Sequence, residues 1–279
     1  MASKRSSSKP PEGSAAAKKL HARVSKRIMP ASALPKRFRM LVYGRSGVGK
    51  TRLVSSCPNV LLIDVNEQGH DSVTRDWDPK VYPVEYWDQL LEVFWYLQSG
   101  DHPYEAFAID GITGMQNLCM KFVLGDEASR DASRDPDMPS RQVWGKVGEL
   151  MKTQIINFRN LPMHGLFTAL ERKRFTGDDE DEAEEAEVSF GPNCSPGIAG
   201  PLEAAVGMIG YLYNRQVVIR PKAKKGKKKP KPQRVARTRL IIGPSDRYLT
   251  KDRYGLMVPY IDAPDIQTML DSIYGEGGK

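Results

Sequence analysis

The sequence predicts an α/β fold: a mostly parallel central sheet with helices on both faces and a β-rich C-terminal extension. Three observations predict it. From Pro35 to about residue 170, short apolar runs alternate with helix-length segments, the pattern of successive strand–helix units. A glycine-rich loop at 44–51 sits between the first apolar run and the next helical segment. Beyond residue 208 two strand-like runs follow one another, joined by a lysine-rich stretch.

Taken in order, residues 1–35 are rich in Ser, Ala, Lys and Pro without sustained periodicity, which predicts a disordered basic tail. A mitochondrial transit peptide is also basic and acid-poor, but the prolines and lysines here argue against one. Residues 36–275 are expected to form one domain, with an acidic loop at 176–188 and a Lys-rich hairpin loop at 221–235. Strands are predicted at 38–43, 60–64, 81–84, 106–110 and 165–169, with helices at 50–56, 88–98, 114–124 and 141–160. The helix at 88–98 carries its apolar residues at helical spacing, so its aromatics read as core. Strands at 208–220 and 237–242 and a last helix after Pro264 complete the domain.

Composition narrows the function classes. No run approaches the roughly 18 apolar residues of a membrane span, and no apolar segment of a secretion signal follows the N-terminus. Cys57, Cys119 and Cys194 form no Cys-x-x-Cys pair, and only four histidines accompany them. A disulfide framework and a structural zinc site are therefore unexpected, and a cytoplasmic setting fits. The net charge of +8 is unevenly placed. Residues 1–40 hold 11 Lys/Arg and one acid, residues 221–239 hold 10 Lys/Arg and no acid, and residues 178–187 hold eight acids and no base. Basic appendages on an otherwise slightly acidic core point to a polyanionic partner, most simply nucleic acid; pairing of the acidic with a basic loop is the alternative.

The segment Gly44-Arg45-Ser46-Gly47-Val48-Gly49-Lys50-Thr51 matches G-x-x-x-x-G-K-[ST] in full. The chemistry explains the pattern. Glycines let successive backbone N–H groups turn inward around a β-phosphate. The start of the following helix adds partial positive charge. Lys50 is placed to reach the β- and γ-phosphates of ATP, and the Thr51 hydroxyl to bind Mg²⁺. Asp110 ends the apolar run Ala106-Phe-Ala-Ile and is the candidate second magnesium-side acid. Gly111 follows it, so a glutamate adjacent to that aspartate is absent. Glu67, just beyond the strand at 60–64, is the expected water-activating carboxylate, with Asp64 its rival.

With these residues in order, the chain resembles the phage RecA-like nucleotide-binding ATPases, a group of recombinases and single-strand annealing partners. The resemblance spans about 36–258: the loop at 44–51, Leu-Ile-Asp-x-x-Glu-x-Gly at 62–69, Ala-Ile-Asp-Gly-Ile-Thr at 108–113, and Lys-Asp-Arg-Tyr-Gly at 251–255. It implies a RecA-like P-loop NTPase fold, ATP and Mg²⁺, and a catalytic role for Glu67. It also implies a homo-oligomer, ring or filament, in which Lys251 and Arg253 reach the γ-phosphate held by a neighbouring subunit, as in hexameric RecA-type helicases. The chain departs from the family in having Gly111 where a serine is usual. It also has leucine where a polar sensor is usual, leaving Thr168 or Glu171 as substitutes.

In RecA-like proteins DNA is held by loops that correspond here to about 125–140 and 171–200. The second begins with Arg172, Lys173 and Arg174 beside Phe175, a composition suited to single-stranded DNA. Lys224, Lys225, Lys227, Lys228 and Lys229 are the other candidate phosphate contacts, independent of base sequence. The leading expectation is an ATPase acting on single-stranded DNA in recombination, annealing or replication, with a single-strand binding protein as a further partner. The rival is a nucleotide-switched accessory or loader module with little turnover. A small-molecule kinase ranks last, because the Lys-rich loop holds no arginine before Arg234 and does not suit a phosphate-closing lid.

Overall fold

The computed structural model describes residues 14–65, 69, 73, 77–130, 138–176, 187–219 and 233–275. The chain divides into two units, Met1–Lys36 and Arg37–Lys279. In the first, Ser14–Ser25 form helix α1, and Ala31–Ala33 a single 3-10 turn. The sequence reading expected no regular structure here. The run Ala15-Ala-Ala-Lys-Lys-Leu holds strong helix formers, and no proline interrupts it until Pro30.

The second unit alternates strands and helices. They run β1 (Arg39–Gly44), α2 (Lys50–Ser55), β2 (Val60–Asp64), β3 (Lys80–Pro83), α3 (Trp87–Ser99), β4 (Ala106–Asp110), α4 (Ile112–Arg130), α5 (Arg141–Asn160) and β5 (His164–Thr176). Then come β6 (Glu187–Pro192), α6 (Pro196–Ala205), β7 (Met208–Ile219), β8 (Gln233–Ile241), β9 (Lys251–Asp252), β10 (Tyr260–Asp262) and α7 (Ile266–Tyr274). The sheet order is β10-β8-β7-β1-β5-β4-β2-β3, with β6 on β5 and β9 on β7. From β7 to β3 all neighbours are parallel; β8, β9 and β10 add antiparallel pairs.

Alternation along β1 divides the core in two. Leu41 and Tyr43 face a cluster with α3, α4, α5 and α6. Met40 and Val42 face a smaller one containing Leu53 and Val54 of α2 and Ile266, Met269 and Leu270 of α7. Both faces of the strand are covered, so all six of its residues are buried, as a central parallel strand requires. Because β5 is inserted between β1 and β4, the ends of β1, β4 and β2 open onto one crevice. Ligands bind at such carboxyl edges where strand order reverses.

Several elements differ from expectation, among them the short strands β6, β9 and β10. Strand β5 does not end at Ala169 but continues to Thr176, pairing antiparallel with β6 from Glu171↔Pro192 to Thr176↔Glu187. Thus Arg172, Lys173 and Arg174 lie on a strand and not on a loop. Helix α4 reaches Arg130, where Glu127 is buried against Lys146 of α5 at 2.5 Å. Helix α6 begins inside the stretch read as a loop and runs beyond it. Gly197, Gly200 and Pro201 weaken its helical signal, but Pro196 suits a first helical position, and Ile198 and Leu202 are fully buried. Strand β8 begins at Gln233, four residues before the predicted start.

Candidate functional site

The glycine-rich loop leaves β1 at Gly44, where a Cβ would lie 2.3 Å from the Leu212 carbonyl oxygen. Gly47 and Gly49 adopt φ of 75° and 98°, a left-handed backbone that glycine enters without steric cost. The loop closes on itself through Lys50, which is buried and donates from Nζ to the carbonyls of Gly44 at 3.2 Å and Arg45 at 2.9 Å. Ser46, Gly47, Val48, Gly49, Lys50 and Thr51 line a cleft of about 430 Å³ that Gly69, Asp110 and Leu170 extend on one side and Asn214 and Thr238 on the other.

Thr51 and Asp110 meet beneath this cleft. The Thr51 hydroxyl donates to Asp110 Oδ2 at 2.7 Å, and the Thr168 hydroxyl donates to Oδ1 at 2.6 Å. Thr168 in turn accepts from the Gly111 N–H at 2.9 Å. Burial pushes the Asp110 carboxyl above its usual pKa, while the two hydroxyls pull it back. Gly69 closes the pair from above: a Cβ there would come within 2.3 Å of Asp110 Oδ2 and 2.7 Å of Thr51 Oγ1. A hydroxyl and a carboxylate oxygen side by side are a donor set that fits a magnesium ion.

Residues 36–254 match the AAA domain family, more than half of the chain. The chain belongs to the AAA domain family. No curated protein matches it. Among solved structures, a KaiC-like protein from the hyperthermophilic archaeon Pyrococcus horikoshii is similar at 9% identity with a TM-score of 0.39, covering 73% of this chain and 77% of that one. The observed sheet is mostly parallel with helices on both faces, as expected, and β5 lies between the phosphate-loop strand and the Asp110 strand. The chain therefore carries an AAA-type P-loop ATPase domain.

Within this AAA domain the other predicted residues separate. Asp64 lies beside Asp110 in register at the end of β2 and is buried; Glu67 lies outside the described residues. Arg45 projects from the phosphate loop and donates to Glu171 Oε1 at 3.0 Å, and Tyr211 donates to Oε2 at 2.8 Å. Glu171 therefore ties the loop to β5 and β7. Thr168, not Glu171, touches the Asp110 carboxylate. Arg172, Lys173 and Arg174 border a groove of about 530 Å³ with Cys194, Pro196 and Ala199. Arg174 also lies 3.7 Å from Glu203. Lys224, Lys225, Lys227, Lys228 and Lys229 lie outside the described residues.

Lys251 and Arg253 are held differently. Lys251 Nζ donates to the carbonyls of Glu203 at 2.5 Å and Val206 at 2.7 Å, at the C-terminal end of α6. Burial and nearby Arg253 lower its pKa. Arg253 is exposed, and its backbone N–H donates to the Gly207 carbonyl at 2.9 Å. Between them Asp252 accepts from the N–H groups of Tyr254, Gly255 and Met257 and closes a turn. Strand β9 ends at Asp252, so Arg253 lies in the turn beyond it. Asn214 and Thr238, hydrogen-bonded at 3.0 Å in the cleft wall, were missed by the sequence reading; two isolated polar residues on a hairpin carry no motif.

Among the described residues no helix is long and apolar enough to cross a membrane.

Proposed function

We propose that this chain is an ATP- and Mg²⁺-dependent RecA-like ATPase acting on single-stranded DNA in phage recombination, annealing or replication. Nucleotide would lie at the interfaces of a homo-oligomer, ring or filament. The observation that carries the reading is the hydrogen-bonded line Thr51–Asp110–Thr168. Thr168 shares strand β5 with Arg172, four residues on, a separation of roughly 13 Å at ~3.3 Å per residue. One strand thus joins the carboxylate beneath the phosphate loop to a cationic hairpin.

Each residue has a role in this reading. Backbone N–H groups of the glycine loop cradle phosphate, and Lys50 turns toward the β- and γ-oxygens. Thr51 and Asp110 hold magnesium, which when bound neutralises charge on the phosphate oxygens. Glu67, or its rival Asp64, accepts a proton from the attacking water. Arg253 is offered to the neighbour's nucleotide, while Lys251 braces α6 behind it. Arg172, Lys173 and Arg174 contact DNA phosphates, as do the lysines of 222–231; a single-strand binding protein is a further partner. The rival, a nucleotide-switched loader with little turnover, is favoured by one feature: the Thr168 hydroxyl is engaged with Asp110 and Gly111.

ATP hydrolysis measured with and without single-stranded DNA tests the reading. Stimulation by DNA is expected; tight ATP binding with negligible, unstimulated turnover would establish the loader instead. The shared interface is tested by mixing Arg253→Ala with Glu67→Gln subunits. Each is expected to be inactive alone. Mixing joins an intact Glu67 site to an intact Arg253 donor, so recovered activity supports the arrangement and no recovery rejects it.

A further inference from the structure

Strands β7 and β8 extend beyond the nucleotide cleft as a long antiparallel hairpin, paired from Tyr211↔Ile241 to Ile219↔Gln233. Tyr213 lies opposite Arg239, and Arg215 opposite Arg237. Steps of two residues keep Tyr213, Arg215, Arg237 and Arg239 on one face. Tyr213 stacks on Tyr211 with rings 5.9 Å apart and 15° from parallel. Arg239 is satisfied: it donates to both carboxylate oxygens of Asp262, at 2.6 and 3.1 Å, and lies 3.7 Å over the Tyr260 ring. Arg215 and Arg237 are exposed and make no ion pair within 4.0 Å among the described residues.

That arrangement works against the fold. Like charges directly opposite on an antiparallel pair are destabilising, and a solvated sheet face ordinarily mixes its signs. Asp262 is the acid that the arginines share: its carboxyl is held below the usual range by Arg239 first, and also by Arg215 and Arg237. One carboxylate against three guanidiniums leaves the face strongly positive. A positive strip carrying a half-buried aromatic ring at one end has the composition of a single-strand contact face, where guanidiniums meet phosphates.

We propose that the Tyr213–Arg215–Arg237–Arg239 face of the β7–β8 hairpin is a contact surface for the backbone of single-stranded nucleic acid, separate from the β5–β6 hairpin. This rests on the single-stranded DNA reading above and adds a second track to it. The unmatched arginine pair is retained for the polyanion it binds, and its cost to the fold is relieved when phosphate lies between the two strands.

The test uses the full chain with oligothymidylate and compares Arg215→Gln/Arg237→Gln with Arg215→Lys/Arg237→Lys. In the glutamine pair the slope of log K against log salt is expected to flatten by about 1.4, or about 0.7 for each of two phosphate contacts. The lysine pair keeps most of the slope. Without DNA, the glutamine pair is expected to melt no lower than the parent, since it removes a repulsion. An unchanged slope in the glutamine pair overturns the proposal, as does a lysine pair as defective as the glutamine pair, or a lowered melting temperature. A parent chain that fails to bind oligothymidylate removes the DNA reading itself; a parent that binds alongside an unaffected glutamine pair removes this face alone.

Discussion

Two carboxylates stand at the same edge of the sheet and are held by different chemistry. Asp110 ends β4, is 2% exposed, and receives two hydroxyl donors, Thr51 and Thr168. Glu171 follows on β5 immediately beyond Leu170, the last residue paired with β1, and receives the Arg45 guanidinium and the Tyr211 hydroxyl. Hydroxyls orient a carboxylate without cancelling its charge, so Asp110 stays suited to a divalent cation. Glu171 already has a cation, and serves as a strut between the phosphate loop and the cationic hairpin. A carboxylate's role at this edge thus follows from its donors and not from its position alone.

The largest test of that difference is Asp110→Asn. It preserves shape and removes charge, and hydrolysis is expected to fall on the order of 10²-fold or more, since metal-assisted charge stabilisation supplies several kcal/mol. Because burial raises the folded-state pKa of Asp110, ionising it costs stability at neutral pH. The same variant is therefore expected to be no less stable than the parent in thermal melting. Wild-type turnover in Asp110→Asn would remove the metal assignment.

Thr168→Val comes next. It leaves a buried carboxylate oxygen and the Gly111 N–H short of a partner, a loss of about 1–3 kcal/mol in denaturant unfolding. Thr168→Ser should recover most of it. Equal stability for valine and serine would mean that the hydroxyl does not position Asp110.

Glu171→Gln is expected to change stability little, because Arg45 is 73% exposed and such pairs are screened by solvent and salt. A collapse of turnover comparable to that of Asp110→Asn would erase the distinction between the two carboxylates and promote Glu171 to a catalytic residue.

The mildest probe is pH. His164 Nδ1 accepts the Phe38 N–H at 2.9 Å, so that nitrogen must be unprotonated. Burial first, then Arg39, lowers its pKa. The unfolded chain then takes up the proton before the folded one. Stability is full above the ordinary histidine value, near 6.5, and declines as pH falls below it. Asp110 acts with the opposite sign: its raised pKa means that lowering pH relieves the burial of its charge. Melting curves of the parent and His164→Gln between pH 7 and 5 are expected to converge at the acid end. Parallel curves would mean that His164 does not titrate with unfolding.

Much of the scaffold was legible because its signals are local or periodic. The phosphate loop needs glycine at particular φ values, and β1, β2 and β4 read as apolar runs because both faces of a central parallel strand are buried. Asp110 followed from its place at the end of such a run. Glu67 and the clustered lysines had chemical reasons in the sequence, but they lie outside the described residues. By itself, then, the sequence determined the sheet's central strands, the phosphate loop and the pairing of Thr51 with Asp110. Only the tertiary structure decided what depends on distant partners. Strand β5 outruns its apolar segment because β6 supplies backbone hydrogen bonds. Lys251 turns away from solvent because the end of α6 presents two carbonyls. Thr168 finds Asp110 because β5 lies beside β4. No local pattern encodes those contacts, since each is made between segments far apart in the chain, and burial rather than propensity holds them.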